Sequence, residues 1–144
     1  MFNARAETVA EKPAFRKAYA RRRCLIPVDG FYEWSVGLKG RAKQPWYVYR
    51  ADGEPLVLAG LWERWFSSDP RDGELRTCTV ITVPANDDLR PLHHRMPALL
   101  PPEDWSNWLN PRETNPEILD AMLRPAGNGL LDRHLVDDQV NNAK

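Results

Sequence analysis

The chain has 144 residues, of which 42% are hydrophobic and 28% are charged, and its formal net charge at pH 7 is zero. This composition excludes a disordered chain and fits one globular domain with a modest core. A net charge of zero argues against bulk electrostatic capture of nucleic acid but leaves room for a local basic groove. The apolar runs are too short for a transmembrane helix, so we expect no membrane span.

The two cysteines and the first residues indicate the cellular compartment. Cys24 and Cys78 both lie in apolar, strand-like runs. Such positions are typical of buried thiols in a reducing compartment, with a single disulfide between them as the alternative. The opening MFNARAETVAEK carries charges and lacks the apolar segment of a signal peptide. We therefore expect a cytoplasmic protein.

The first part of the chain predicts short helices followed by strands. Residues 7–21 predict one helix, or two short helices around Pro13, because apolar side chains recur at a helical spacing. Residues 24–34 predict one strand, or a strand pair broken at the Asp29-Gly30 turn. The next predicted elements are a basic turn at 39–44, a strand at 45–50, a tight turn at 52–53, and strands at 56–65 and 76–85.

The last part predicts an extended segment at 96–100 and short helices at 101–109 and 115–125. This order of elements is typical of an α+β fold. Short strands joined by hairpin turns favour a mainly antiparallel sheet that is strongly bent or barrel-like. No repeat or linker divides the sequence, so we expect residues 1–144 to form a single domain.

Glu33 lies between Tyr32 and Trp34 in the stretch CLIPVDGFYEW, residues 24–34. A carboxylate with aromatic neighbours loses part of its hydration, which favours its protonated form. A carboxyl group that exchanges a proton near neutral pH is suited to general acid–base catalysis. The alternative is an ordinary strand residue that faces solvent while the aromatic side chains face the core.

The segment LHHRMP, residues 92–97, joins two histidines and an arginine after a polar loop. A histidine in such a loop can shuttle a proton, and Arg95 can hold an anion. Adjacent side chains of an extended segment point to opposite sides, so only one of His93 and His94 can face a given site. The alternative is a His pair on a surface loop. We expect no metal site, because no second Cys or His cluster has ligand spacing.

The segment NARAET, residues 3–8, alternates Asn3 and Arg5 with two alanines. In an extended segment these two polar side chains lie on one face, where an amide and a guanidinium can grip an anionic ligand. The alternative is a frayed N-terminus, which is common for first residues.

These motifs, with RRCLIPVDGFYEW, QPWYVYR, AGLWE, TCTVITVPAN, HHRMPALL and VDDQVNN in that order, closely resemble the SRAP domain. This is the SOS response-associated peptidase or abasic-site processing family. The resemblance covers residues 3–142, and its most specific parts are NARAET, DGFYEW and the HxRMP pattern at its spacing from TVITVPAN. It implies binding to single-stranded DNA at abasic sites by a monomeric protein without metal or organic cofactor.

The resemblance also implies a covalent mechanism. In the family, a cysteine exposed by removal of the initiator Met attacks the ring-opened deoxyribose aldehyde. Its α-amine and thiol close a thiazolidine, which leaves a stable DNA–protein cross-link. The same cysteine is implied in the autoproteolytic removal of the Met, so the family combines peptidase and DNA-repair chemistry.

Site residues carry over position by position. Glu33 matches the catalytic glutamate, a proton shuttle for ring opening and for reversal of the cross-link. His93 matches the histidine that assists at the sugar oxygen, and Asn3 matches the asparagine that hydrogen-bonds around the cross-link. His94 stands where many members have Asp and receives no catalytic role. Three further residues are implied in DNA binding, at phosphates or beside the DNA backbone: Arg5, Arg95 and Thr82.

The sequence departs from the family pattern at its ends. Family members begin MCGR, whereas this chain begins Met1-Phe2, so we expect the nucleophilic cysteine, the N-terminal third of the domain and the C-terminal tail to be absent. Cys24 and Cys78 are internal and cannot replace that cysteine, because a thiazolidine needs thiol and α-amine on one residue. A lysine could form a Schiff base with an aldehyde, but the sequence marks out no particular lysine.

Three hypotheses follow. The chain is a family enzyme with a truncated or misassigned start, a single-stranded-DNA-binding module without the chemistry, or a fragment that does not fold alone. An in-frame MCGR upstream of Met1 would favour the first, and a stop codon there the other two. A cooperative melt separates the binding module from the fragment.

Overall fold

The computed structural model describes residues 3–35, 43–69, 71 and 73–141. The strands of this part are β1 (Asn3–Arg5), β2 (Arg23–Val28), β3 (Gly30–Trp34), β4 (Pro45–Arg50), β5 (Leu56–Phe66), β6 (Glu74–Pro84), β7 (Arg95–Pro97) and β8 (Leu131–Leu135). Its helices are α1 (Arg16–Arg21), α2 (Trp105–Leu109) and α3 (Pro116–Met122), with 3₁₀ turns at Ala6–Thr8, Pro102–Asp104 and Asp138–Asn141. None of these helices is long and apolar enough to cross a membrane.

The chain forms two compact units, each built from three segments. The first unit takes its described residues from 1–26, 57–83 and 97–124, and the second from 27–56, 84–96 and 125–144. The predicted single domain stays a prediction.

The first unit contains a mixed sheet with strands in the order β1-β6-β5-β2. β5 and β6 form a long antiparallel hairpin, from the Gly60–Val80 pair to the Phe66–Glu74 pair. β1 runs parallel to β6, with Asn3 opposite Val80 and Arg5 opposite Thr82. Alternation along the central part of β6 buries Ile81 and Val83, as expected for a strand with one covered face.

Arg23, at the start of β2, is a buried cation that joins the helices of the first unit to its sheet. The residue is 5% exposed. Its guanidinium donates hydrogen bonds to the backbone carbonyl oxygens of five residues: Tyr19, Ala20, Trp108, Asn110 and Glu113. Burial lowers the pKa of Arg23. The five carbonyl oxygens accept from all five N–H groups of the guanidinium. Without these hydrogen bonds, burial of the charged group would strongly destabilise the folded chain.

The second unit contains an antiparallel sheet in the order β3-β4-β8. Tyr32 lies opposite Tyr47, which lies opposite His134, so the three rings cross the sheet in one row. Their centroids are 5.4 Å and 5.6 Å apart, within the range of favourable aromatic pairs. The side chains of opposite parity face the other way, and among them Val48 is fully buried.

The predicted α+β class with mainly antiparallel strands is confirmed, and the strands divide between two sheets, neither of which is a closed barrel in the described residues. The strand pair broken at Asp29-Gly30 is confirmed as β2 and β3, and the first helical region is two short pieces around Pro13. The predicted basic turn at 39–44 lies mostly outside the described residues. β8 was not predicted, because five residues with two charges among them give a weak periodic signal.

The prediction that both cysteines are buried was wrong for Cys78. Both are free thiols, and Cys24 is partly buried whereas Cys78 is exposed. Residues 74–78 are all exposed, so the first half of β6 is paired along its backbone while its side chains stay in solvent. An apolar, β-branched run predicted the strand correctly but not which part of it is covered.

The two thiols should therefore react with alkylating reagents at different rates. Burial, with a smaller contribution from the nearby Cys78, raises the pKa of Cys24 to about 11, so little reactive thiolate is present at pH 8. We expect iodoacetamide at pH 8 to modify Cys78 first, with Cys24 reacting on unfolding or near pH 11. Peptide mass spectrometry of the alkylated protein measures this. Equal rates in the folded protein would contradict it.

Gly30 is required by the packing of the second unit. A Cβ atom at this position would lie 2.5 Å from the Tyr47 ring carbon Cζ and 2.5 Å from the Val48 carbonyl oxygen. The backbone oxygen cannot move without disturbing the β3–β4 ladder. We expect Gly30→Ala to lower the free energy of unfolding by about 1–3 kcal/mol, as overpacking does.

Gly127→Ala is the matched control, because a Cβ there meets nothing within 4 Å. Thermal melts of both variants measure the difference. An unchanged melting temperature for Gly30→Ala would show that Tyr47 moves aside without cost.

Candidate active-site cleft

Glu33 and His93 line one open cleft of the second unit. The cavity has a volume of about 550 Å³, and its lining residues are Glu33, Trp34, Lys43, His93 and Asn141. All five belong to the second unit. Two proton-exchanging side chains and one ammonium group therefore face the same space.

Glu33 comes from β3, where it lies directly opposite Trp46 of β4. Its Oε1 accepts a hydrogen bond from the backbone N–H of Trp34 at 3.0 Å, which orients the carboxylate near the end of the strand. Glu33 is partly buried, whereas its neighbour Tyr32 is 48% exposed. The alternative, in which the aromatic side chains face the core and the glutamate faces solvent, therefore fails for Glu33 and Tyr32, while Trp34 is partly buried. Strand alternation sends Glu33 to the covered side instead.

Trp34 and Asn141 form one wall of the cleft. The Trp34 indole Nε1 donates a hydrogen bond to Asn141 Oδ1 at 2.6 Å. Asn141 ends the 3₁₀ turn Asp138–Asn141. The contact thus ties the C-terminal segment to the end of β3 and orients the indole beside Glu33.

His93 is oriented by its own backbone neighbourhood. Its Nδ1 accepts a hydrogen bond from the Arg95 backbone N–H at 3.0 Å. Nδ1 also lies 3.3 Å from the Arg95 carbonyl oxygen, so the Arg95 backbone offers Nδ1 both a donor and an acceptor and accommodates either tautomer of the ring. The His93 and His94 rings stack at 4.4 Å between centroids. Nδ1 is therefore engaged by the backbone, and Nε2 is the nitrogen left for proton exchange in the cleft.

The loop that carries His93 is held by Asn86, which is 6% exposed. The Asn86 carboxamide donates to the Ala126 carbonyl oxygen at 3.1 Å and accepts from the Leu89 N–H at 3.2 Å. Its backbone N–H donates to Met96 Sδ at 3.3 Å. Both ends of the loop, and the segment before β8, are thereby fixed through one side chain.

Asp88 connects the same loop to β8. Its carboxylate accepts from the backbone N–H of Gly129 at 3.0 Å and of Leu131 at 3.3 Å. The Asp88 carbonyl oxygen accepts from the Arg133 guanidinium. Arg133 also lies over the Trp46 ring at 5.6 Å from its centroid, and Trp46 is the partner of Glu33 across the strands. A continuous series of contacts therefore joins the His93 loop to the Glu33 strand.

The other predicted site residues divide between the units. Arg95 follows His93 in the second unit and positions it through its backbone N–H. Asn3, Arg5 and Thr82 are in the first unit. Asn3 and Arg5 are exposed on one face of β1 while Ala4 between them is 1% exposed, so the predicted alternation is confirmed. Thr82 lies opposite Arg5, and its hydroxyl donates to the Ala4 carbonyl oxygen at 3.3 Å.

Sequence reasoning missed several residues of the cleft and its support: Trp34, Lys43, Asn141, Asn86 and Asp88. The Asn86-Asp87-Asp88 run was interpreted as a polar loop, although an Asn that follows a buried strand is a recurrent loop-stabilising signal. Lys43 and Asn141 carry no local signal, because only tertiary contacts bring them to Glu33. Within the described residues, no group of three or more His, Cys, Asp or Glu side chains is placed to hold a metal ion.

The family model of SOS response associated peptidase (SRAP) matches residues 1–143. Abasic site processing protein YoqW of Bacillus subtilis is 40% identical over 144 residues, which is all of this chain and 63% of that protein. Abasic site processing protein HMCES of Gallus gallus is 31% identical over 163 residues, covering 99% of this chain and 47% of that protein. The chain thus spans less than two thirds of the length of these relatives.

Solved structures agree with this similarity. A crystal structure of a protein from Bacteroides thetaiotaomicron matches with a TM-score of 0.86 and 32% sequence identity, covering 98% of this chain and 61% of that one. A protein from Bordetella bronchiseptica matches with a TM-score of 0.79 and 31% identity, covering 94% of this chain and 64% of that one. Both the backbone arrangement and the sequence pattern are therefore shared.

The support of the cleft can be tested at Asn86. We expect Asn86→Ala to lower the free energy of unfolding by about 1–3 kcal/mol, because it removes the hydrogen bonds of a buried carboxamide to the Leu89 N–H and to the Ala126 carbonyl oxygen. Asn107→Ala, at an exposed position of α2, is the matched control and should change stability by less than about 0.5 kcal/mol. Urea unfolding followed by circular dichroism measures both. Similar midpoints for the two variants would show that the Asn86 contacts add no stability.

Proposed function

Because the chain belongs to the SOS response associated peptidase (SRAP) family, we propose that it takes part in the processing of abasic sites in single-stranded DNA. The observation that carries the proposal is the cleft, in which the Glu33 carboxylate, the His93 imidazole and the Lys43 ammonium group face one space. The similar proteins of Bacillus subtilis and Gallus gallus are named abasic site processing proteins. We further propose a monomer that works in the cytoplasm without a metal or organic cofactor.

Glu33 and His93 are suited to opening the sugar ring. An abasic deoxyribose is mainly a closed hemiacetal, and ring opening moves a proton from the C1′ hydroxyl to the ring oxygen. A base and an acid on the same cleft carry out these transfers together. We assign the hydroxyl proton to the Glu33 carboxylate and the ring oxygen to His93 Nε2, the nitrogen not engaged by the Arg95 N–H. Both groups regain their starting protonation state by exchange with water.

DNA contacts come from side chains that carry positive charge or hydrogen-bonding capacity. Arg5 and Arg95 are proposed to bind phosphates flanking the lesion, Thr82 to contact the backbone, and Asn3 to hydrogen-bond around the sugar. Because the proposal assigns only Arg5 and Arg95 to phosphates, about two phosphates are neutralised, and the salt dependence of binding should be shallow.

The covalent step implied by the resemblance needs an N-terminal cysteine, as does removal of the initiator Met. Cys24 is internal, and its raised pKa makes it a weak nucleophile at neutral pH. For residues 1–144 we therefore propose recognition of the abasic site and proton transfer. Cross-linking and autopeptidase activity are proposed only for a family protein that has the N-terminal cysteine.

A single-stranded oligonucleotide with one abasic site tests this proposal. We expect fluorescence anisotropy to show about tenfold or tighter preference over the intact strand, because intact sugars lack the aldehyde and its hemiacetal. We also expect the bound site to react faster with a hydroxylamine probe, which captures the open-chain aldehyde. Glu33→Gln keeps the shape of the side chain and should slow capture about a hundredfold while changing affinity less than threefold.

Glu103→Gln is the matched control, since Glu103 is an exposed glutamate of the first unit. It should behave as the unchanged protein in both assays. Equal affinity for the abasic and intact strands would overturn the proposal. Preference for the abasic strand with capture unaffected by Glu33→Gln would favour a binding module without this chemistry.

A further inference from the structure

We propose that Lys43 is an amine nucleophile of the cleft, which attacks the open aldehyde of an abasic site to form a Schiff base and so permits strand cleavage at the lesion. This inference rests on the proposed function, because it needs an abasic site in the cleft. It adds an activity, β-elimination, and a catalytic residue that the sequence does not mark out.

The first argument is position. In the described part of the chain the lysines are Lys12, Lys17 and Lys43, and of these Lys43 alone lines the cleft with Glu33 and His93. The other two lie exposed in the first unit. An amine held in the same cavity as the aldehyde reacts at a high effective concentration, which is a large part of how a site accelerates addition to a carbonyl.

The second argument is that the backbone beside Lys43 is anchored. Gln44 follows it, and the Gln44 carbonyl oxygen accepts from the Ser35 backbone N–H at 3.0 Å. The Gln44 carboxamide donates to the carbonyl oxygens of Pro45 at 3.0 Å and Val136 at 3.1 Å. These bonds hold the start of β4 between the end of β3 and the segment after β8. The base of the Lys43 side chain is therefore fixed beside the Trp34 wall, and the residue as a whole is exposed.

The third argument is that the cleft supplies the proton transfers that imine formation needs. An ammonium group must first lose a proton before it can attack, and Glu33 is a carboxylate in the same cavity that can accept it. The free amine of Lys43 adds to C1′, which gives a carbinolamine. A proton from Glu33 or His93 lets its hydroxyl leave as water, and the C1′–N double bond forms.

The elimination step then balances without any further reagent. The protonated imine acidifies the hydrogens of C2′, and loss of one of them expels the 3′ phosphate and breaks the strand. Water hydrolyses the remaining imine and returns Lys43 as an amine. The water taken up equals the water released on imine formation, and no oxidant or reductant takes part. His93, whose Nε2 is not engaged by the Arg95 N–H, is the base assigned to the C2′ proton.

A lysine at this place could instead serve only as a cation that binds phosphate. Substitution by arginine separates the two roles. Arg keeps the positive charge and binds phosphate at least as well as Lys, but its guanidinium stays protonated and forms no Schiff base. A phosphate-binding role predicts that Lys43→Arg is silent, whereas the nucleophile predicts that covalent chemistry is lost while binding is kept.

The experiment traps the imine with sodium cyanoborohydride. The unchanged chain, Lys43→Arg and the control Lys17→Arg are each incubated with a labelled abasic single strand, and covalent adducts are separated on a denaturing gel. We expect Lys43→Arg to reduce both the trapped adduct and strand cleavage at least about tenfold, while Lys17→Arg changes neither. Anisotropy should show unchanged preference for the abasic strand in both variants. Peptide mapping should place the reduced adduct on Lys43.

Each other outcome has one meaning. No preference for abasic over intact DNA by the unchanged chain overturns the proposed function and this inference with it. Preferential binding without any trapped adduct overturns the inference alone. An adduct that survives Lys43→Arg and maps to another amine, such as the α-amine of Met1, also overturns the role of Lys43 and leaves the proposed function standing.

Discussion

The carboxylate of Asp88 accepts backbone hydrogen bonds from Gly129 and Leu131, and the position of the His93 loop depends on this contact. Backbone hydrogen bonds shape the loop internally, as between the His93 N–H and the Leu89 carbonyl oxygen at 3.0 Å, and side chains fix it to the neighbouring elements. Asp88 holds it to β8, and Asn86 holds it to the segment before β8. β8 pairs with β4, and β4 pairs with β3, which carries Glu33. The relative placement of the two proton-exchanging groups thus follows from one loop and one three-stranded sheet.

A charged side chain, Arg133, also connects the His93 loop to β8. Arg133 donates to the Asp88 carbonyl oxygen and lies over the Trp46 ring, directly across the strands from Glu33. A guanidinium in this position satisfies a loop carbonyl and covers an aromatic face with one planar group, which an ammonium group cannot do equally well. The contact is short-ranged and partly buried, so salt screens it little. We therefore expect the support of the cleft to change little with ionic strength.

Local patterns were sufficient for most strands and for the faces of the short ones. Asn3 and Arg5 alternate with buried Ala4, as the sequence predicts. Residues 24–34 form a strand pair broken at Asp29-Gly30, which was one of the two predicted alternatives. The pairing of the strands was not predictable from the sequence. β1 runs parallel to β6, more than seventy residues away, and the hydrophobic periodicity of β8 does not indicate that it pairs with β4. The residues of the cleft likewise divide into those that local motifs predicted and those that only the tertiary structure revealed. Motifs identified Glu33 and His93, whereas Lys43 and Asn141 became visible only where the chain returns to β3.

Two of the four tryptophans of the first unit occupy opposite environments. Trp108 is fully buried under the Arg23 guanidinium, and its indole donates to the Cys24 carbonyl oxygen at 2.9 Å. Trp65, near the turn of the β5–β6 hairpin, is 56% exposed. Emission from a buried indole is blue-shifted relative to one in water, and only the latter is reached by an aqueous quencher such as iodide. The other four tryptophans are partly buried, so iodide divides the emission into a protected and an accessible fraction. Trp108 belongs to the protected fraction, which falls if the helices around Arg23 no longer pack against the sheet.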